Sequence, residues 1–255
     1  MSTANLVLSV FPGIDLLGRA FEQEEGFCIV RGPDVLWGGD ARTFHPPAGV
    51  FAGVIGGPPC QTFSALANLV RAQGYEPRFG NLIPEFERVV AEAQPTWFLM
   101  ENVPGAPLPV VSGYTVHAIL YNNRWTGAVQ NRLRRLSFGT RDGRRLYPEI
   151  VALEAPLRFV AVVSDLRRTP VRLGRNGKVK STALPLPTVT SEDGQTRRQV
   201  RYTLAEACEL QGLPPGFLAA APFTAAGKLQ AVANGVPLPM GRAIARAVRR
   251  TMADG

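Results

Sequence analysis

The sequence predicts an α/β fold, a mostly parallel sheet with helices on both faces, joined to a small, irregular, β-rich lobe. Three observations carry that expectation. In the first part of the chain, short apolar runs alternate with stretches whose apolar residues recur at helical spacing. Glycine and proline gather directly after the apolar runs. Between about residues 140 and 201 the pattern gives way to isolated apolar stretches interrupted by arginine, proline and glycine, a texture that no long helix tolerates.

Taken in order, residues 6–10 form an apolar run that stops at Phe11-Pro12-Gly13, after which Ile14, Leu17 and Phe21 recur at helical spacing until Gly26. That is strand, tight turn, helix. Residues 27–30 resume as a strand, and 50–55 form another that runs into a glycine and proline loop. Residues 82–93 read as a helix and 97–100 as a buried strand. A sheet assembled this way holds its ligands beyond the carboxyl ends of its strands, so the informative residues should follow each strand directly. Helical patterning returns at 204–210 and again at 240–252, where Ile244 and Val248 mark one face and Arg242, Arg246, Arg249 and Arg250 lie around the others. This last helix is expected to pack back onto the first domain. The division that follows is 1–138 with 225–255 as one domain and 139–224 as the small lobe.

A chain of 255 residues can build one sizeable core with a minor lobe against it. With 45% hydrophobic residues, no long apolar stretch and no signal-peptide pattern, the expected location is cytoplasmic, without a membrane partner. Cys28, Cys60 and Cys208 are widely spaced and lack any CxxC pairing, and His45 and His117 are the two histidines, so neither a disulfide framework nor a metal site is expected. The net charge of +8 favours a polyanionic partner.

The strongest local signal is Gly56-Gly57-Pro58-Pro59-Cys60-Gln61-Thr62-Phe63-Ser64, directly after a strand. The glycines let the backbone turn sharply and the prolines stiffen the segment that presents the thiol. A free cysteine is more often a small core hydrophobe, but this loop context argues for display. The segment resembles the catalytic loop of the DNA (cytosine-5) methyltransferases. Further strings follow in that family's order: Phe11-Pro12-Gly13-Ile14-Asp15 is similar to its cofactor turn, Glu101-Asn102-Val103 to its glutamate signature, Gln130-Asn131-Arg132-Leu133-Arg134 to its paired-arginine signature, Gln211-Gly212-Leu213-Pro214 to the segment before the final turn, and Asn234-Gly235-Val236-Pro237 to that turn. Each string is weak alone; their order is what makes the resemblance specific. It implies a Rossmann-like S-adenosylmethionine-dependent methyltransferase fold and, with it, methylation of DNA cytosine.

Carbon 5 of cytosine is too poor a nucleophile to attack a methyl sulfonium unaided, so a thiolate must first add to carbon 6. The resemblance gives that role to Cys60 and gives Glu101 the stabilisation of charge at ring nitrogen 3. Arg132 and Arg134 alternate across one residue, so on an extended segment both leave the same face, from which they would hold Glu101, the base carbonyl or a phosphate. A stacked base cannot reach such groups, which requires base flipping.

For S-adenosylmethionine the resemblance implies Phe11, Gly13 and Ile14 at the first turn, Asp34 near the end of the second strand for the ribose hydroxyls, Asp40 for the adenine amino group, and Pro59, Leu82, Asn234 and Val236 completing the set. Asp15 stands where the family commonly has glycine, and is read as a helix cap. Arg71 and Arg78 fall in the stretch that would close over DNA, as phosphate contacts. Within the lobe, Arg167, Arg168, Arg172, Arg175, Arg197 and Arg198, with Lys178, Lys180 and Arg201, meet little acid beyond Asp165, Glu192 and Asp193, and are expected to bind DNA. The shortness of the lobe suggests a compact enzyme of phage or prophage type, acting as a monomer. Two rivals stand beside this reading: an RNA cytosine methyltransferase of the same family, and a non-catalytic nucleic-acid-binding module. A nucleotide-binding oxidoreductase is disfavoured because no GxGxxG turn follows the first strand.

Overall fold

Side chains that alternate along a buried strand must find cover on two sides, and this requirement organises the molecule. The computed structural model describes residues 6–59, 80–151 and 202–253. In strand β1 (Leu6–Val10), Val7 packs into one apolar cluster while Leu8 and Val10 pack into another on the opposite face. Helix α1 (Leu16–Glu22) leads to β2 (Cys28–Arg31), and two single 3₁₀ turns, Val35–Trp37 and Ala41–Thr43, precede β3 (Gly53–Gly56). Helix α2 (Ile83–Ala93) and β4 (Trp97–Asn102) follow, then β5 (Thr115–Asn122) and β6 (Leu133–Thr140). Helices α3 (Leu204–Leu210), α4 (Ala225–Asn234) and α5 (Leu238–Ala253) complete the described residues.

These strands form a six-stranded sheet in the order β2-β1-β3-β4-β6-β5, in which the first four are parallel and β6 runs against them, antiparallel to both of its neighbours, β4 and β5. One face is covered by α1 and α5 through Leu17, Phe21, Met240, Ile244 and Val248. The other is covered by α2 through Ile83, Phe86, Val89 and Val90. A third cluster joins Ile14, Leu16 and Ala20 to Ala207, Cys208, Leu213, Leu218 and Val232, so residues 204–218, grouped with the lobe in the sequence reading, pack against the start of α1.

The expected α/β layering is present, with shifts at the edges of elements. The strand expected at 50–55 is Gly53–Gly56, and the strand expected at 97–100 runs on to Asn102, which brings Glu101 and Asn102 into the sheet. The helix expected at 240–252 is Leu238–Ala253, and its arginines are more engaged than a solvated face would be. Arg246 donates to Glu24 at 2.7 Å, Arg250 to Glu149 at 2.6 Å and Arg249 to the Glu25 carbonyl at 3.2 Å, binding α5 to the turn between α1 and β2 and to the segment after β6. Among the described residues, no helix is long and apolar enough to cross a membrane.

Candidate active site

Strand β1 sends the chain through α1 to β2 on one side of the sheet, whereas β3 leads to β4 on the other. The carboxyl ends of the adjacent β1 and β3 therefore flank the crevice where such a sheet binds ligands. The turn after β1 is unusual. Phe11, Gly13 and Asp15 all lie in the left-handed region, at φ 55°, 57° and 56°. Asp15 N–H closes it by donating to Pro12 O at 2.7 Å. Both polar groups of the Gly13 peptide are held from residues far along the chain: its N–H donates to Asp34 Oδ2 at 2.8 Å, and its carbonyl accepts from Trp37 Nε1 at 2.7 Å. A Cβ added at Gly13 would meet nothing within 4 Å, so the turn is open to an incoming group on that side.

Asp34 also accepts from Leu36 N–H at 2.8 Å, so it caps the Val35–Trp37 turn while it holds Gly13. Trp37 is 60% exposed, with its ring 5.7 Å from that of Phe223. No periodicity marks it in the sequence, and it was missed there. Asp40 caps the next 3₁₀ turn, and Arg42 grips its carboxylate at 2.7 to 3.0 Å. That guanidinium holds the Asp40 carboxyl below the usual aspartate range.

The loop after β3 is anchored by β4. Asn102, buried, donates from Nδ2 to Pro58 O at 3.2 Å and accepts from Val103 N–H at 2.8 Å. Gly57 lies so close to Glu101 that an added Cβ would be 3.2 Å from Oε2. Glu101 is 8% exposed, and Arg134 Nε meets its Oε1 at 2.8 Å. The pairing follows from register: Glu101 lies opposite Leu136, and Arg134, two residues before Leu136, projects from the same face. The partly buried Pro59 ends the described part of this loop. Cys60, Arg71, Arg78, Arg167, Arg168, Arg172, Arg175, Arg197 and Arg198 lie outside the described residues. Leu82 precedes the first turn of α2, where it provides no side-chain cap.

The two arginines of the 130–134 string part company. Arg132 precedes β6, is 4% exposed, and donates from Nη2 to Gly235 O at 3.1 Å and Asn234 O at 3.4 Å. Gln211, fully buried, donates to Val232 O at 2.9 Å from the same neighbourhood. Arg132 thus serves carbonyls at and just past the end of α4, and Gln211 adds a second donor to Val232 O, which the Gly235 N–H already caps. The final turn is thereby fixed, with Asn234 exposed and Val236 buried against the core.

The groups around the β1 turn fit a cofactor with a flat ring and a polar tail: an open glycine, the half-exposed Phe11, the exposed Trp37 indole and two carboxylates. Among the described residues, no three His, Cys, Asp or Glu side chains gather as a metal site would require.

Comparison with known proteins adds to this geometry. The family described as C-5 cytosine-specific DNA methylase matches residues 40–108. Type II methyltransferase M1.HphI of Haemophilus parahaemolyticus is 36% identical over 110 residues, covering 38% of this chain and 29% of that protein. Type II methyltransferase M.MthTI of Methanothermobacter thermautotrophicus is 29% identical over 203 residues, covering 67% of this chain and 59% of that one. The chain thus spans less than two thirds of the length of either relative. Among solved structures, the Entamoeba histolytica methyltransferase EhMeth superposes with a TM-score of 0.58 at 14% identity, over 98% of both chains, a likeness of fold.

Proposed function

We propose that this chain, whose residues 40–108 match the C-5 cytosine-specific DNA methylase family, methylates carbon 5 of cytosine in double-stranded DNA, using S-adenosylmethionine. The observation that supports this most is the packing of the Gly57-Pro58-Pro59 loop against Glu101 and Asn102, one peptide bond before Cys60. A carboxyl group and a thiol-bearing loop brought together at the crevice of a parallel sheet are what addition to a pyrimidine ring requires.

Cys60 Sγ, as thiolate, bonds to carbon 6 of the flipped base, and the displaced electron pair enriches carbon 5 and ring nitrogen 3. Glu101 holds a proton at nitrogen 3, which stabilises that charge. Arg134 fixes the Glu101 carboxyl through the 2.8 Å pair, and Arg132 secures the turn that carries Asn234 and Val236. When bound, S-adenosylmethionine supplies an electrophilic methyl group. Phe11, Gly13, Ile14, Asp34, Asp40, Pro59, Leu82, Asn234 and Val236 would hold it, with Trp37 added beside Gly13. After carbon 5 is alkylated, water takes its proton, that electron pair re-forms the bond between carbons 5 and 6, and Cys60 leaves as thiolate.

In this reading residues 1–138 and 225–255 form the catalytic part, joined by the 204–218 stretch that packs against α1, and the lobe within the rest of 139–224 recognises the target through Arg167, Arg168, Arg172, Arg175, Arg197 and Arg198. Arg71 and Arg78 contact phosphates. The protein acts as a monomer. Trapping on matched 5-fluorocytosine oligonucleotides tests the proposal: a covalent adduct should form with the deoxy duplex and vanish in Cys60→Ala, which should still bind DNA. An adduct with the ribonucleotide strand alone would overturn the DNA assignment, and an adduct that survives Cys60→Ala would overturn the nucleophile.

A further inference from the structure

We propose that Asp15 is a positioning residue for the methyl donor, holding the left-handed turn after β1 in the shape that binds it through one buried carboxylate shared among β1, α1 and β2. The inference rests on the proposed function, which makes this turn part of the cofactor site, but its substance comes from the local structure.

A non-glycine residue at φ 56° is strained unless its side chain compensates, and aspartate is among the few that do. Here the compensation is threefold. Asp15 is 3% exposed; Oδ1 accepts from Ser9 Oγ at 2.8 Å and from Gly18 N–H at 3.2 Å, and Oδ2 meets Arg31 Nε at 2.7 Å. Ser9 and Arg31 are register partners on β1 and β2, so the carboxylate closes the end of that strand pair. Arg31 is steadied in turn by Glu22 at the far end of α1, at 3.0 Å.

A second observation shows that the site is fitted to this group. A Cβ at Gly18 would collide with both carboxylate oxygens of Asp15, so residue 18 must lack a side chain for the carboxylate to lie where it does. Asp15 N–H donates to Pro12 O, so whatever fixes Asp15 also fixes Phe11, Pro12 and Gly13. With the carboxylate gone, Ser9 loses its partner and Arg31 is left to Glu22, so the turn is no longer tied to the strand pair and should leave its binding shape for much of the time. Affinity falls by the fraction of time lost: a turn that is competent a tenth of the time binds about tenfold more weakly.

The test is calorimetric binding of S-adenosylhomocysteine, with steady-state kinetics, on the full chain carrying Asp15→Gly, Asp15→Asn or Gly18→Ala. Glycine accepts φ 56° without strain, so Asp15→Gly keeps the backbone foldable. We expect Asp15→Gly and Gly18→Ala to raise the dissociation constant, and the KM for S-adenosylmethionine, about tenfold with kcat within twofold. Asp15→Asn, which keeps an acceptor for Ser9 and Gly18, should recover most of the affinity. A merely structural role would instead lower kcat with the folded fraction and leave KM alone, and that result overturns the inference. So does wild-type affinity in Asp15→Gly. Failure of the wild type itself to bind S-adenosylhomocysteine would remove the proposed function, and this inference with it.

Discussion

Replacing Arg134 by Met tests how the Glu101 carboxyl is held. The two charged groups are 2.8 Å apart, with side chains 14% and 11% exposed for Arg134 and Glu101. An exposed pair would contribute at most about 1 kcal/mol, because water screens it and two long side chains must be ordered. At this burial the asymmetry of removal dominates: Arg134→Met strands a carboxylate in the sheet, which costs about 3–5 kcal/mol. For a chain of this size each kcal/mol shifts melting by about 2–4 °C, giving a fall of roughly 6–20 °C. Glu101→Gln keeps an acceptor for the guanidinium and should lose less. Glu101→Gln combined with Arg134→Met removes both charges, and should melt well above the sum of the single losses. Thermal unfolding by circular dichroism on the four proteins closes the cycle, and we expect a coupling of about 2 kcal/mol or more. Additivity within about 0.5 kcal/mol would mean that the carboxyl is held by something other than Arg134, and the positioning argument would fail.

Where α1 crosses α5, a Cβ at Gly241 would press into the Ala20 methyl, with neither helix backbone free to yield. Gly241→Ala should therefore destabilise by about 1–3 kcal/mol, while Gly216→Ala, which meets nothing within 4 Å, stays near neutral; equal melting of the two would refute direct helix contact. Burial lifts the Asp15 carboxyl above its ordinary value of 3.8, outweighing the opposing pull of Ser9, Arg31 and Gly18, with Glu22 adding to the rise. A carboxyl raised in the folded state favours folding when protonated, and that advantage is lost as pH climbs from 3.8 through the folded-state value. Relative to Asp15→Asn, the wild type should therefore lose stability across that window in urea titrations, and a difference independent of pH would contradict the shift.

The half of the sheet that could be read from sequence is the half buried on both faces. Val7, Leu8 and Val10 need no partner identity to announce a strand, and Phe11-Pro12-Gly13 marks its end. Strand β5 is a sheet edge whose Thr115, Ala118 and Leu120 are exposed, and β6 carries Arg134 and Arg135 directly after its first residue, so neither shows a clean apolar period. Helix α4 buries Val232 and Ala233 and little else, too narrow a stripe to signal itself. At the site, Arg132 lies before β6, which begins at Leu133, and reaches the carbonyls of Asn234 and Gly235, while Arg134, inside the strand, reaches Glu101; the sequence did not tell these two partners apart. The link from Asn102 to Pro58 spans 44 residues, and that from Trp37 to Gly13 spans 24; contacts of that kind leave no local pattern.

What the sequence order of the strings does not convey is why they meet. Glu101 and Arg134 are brought together by the antiparallel ladder between β4 and β6, where each step away from Glu101 on one strand is matched by a step the other way on its partner. With Glu101 opposite Leu136, the arginine at 134 shares its face, while Arg135, opposite Asn102, turns away and donates to Ala106 O. Slipping the register by a single residue would exchange the two, presenting Arg135 to the carboxyl and burying Arg134 elsewhere. That register is held by Leu99 against Phe138 on one face and by Phe98 lying across Gly139 on the other, well away from the crevice. A side chain added at Gly139 would strike the Phe98 ring, so Gly139→Val should disturb the Glu101 pair without touching any residue of the site, as the register argument requires.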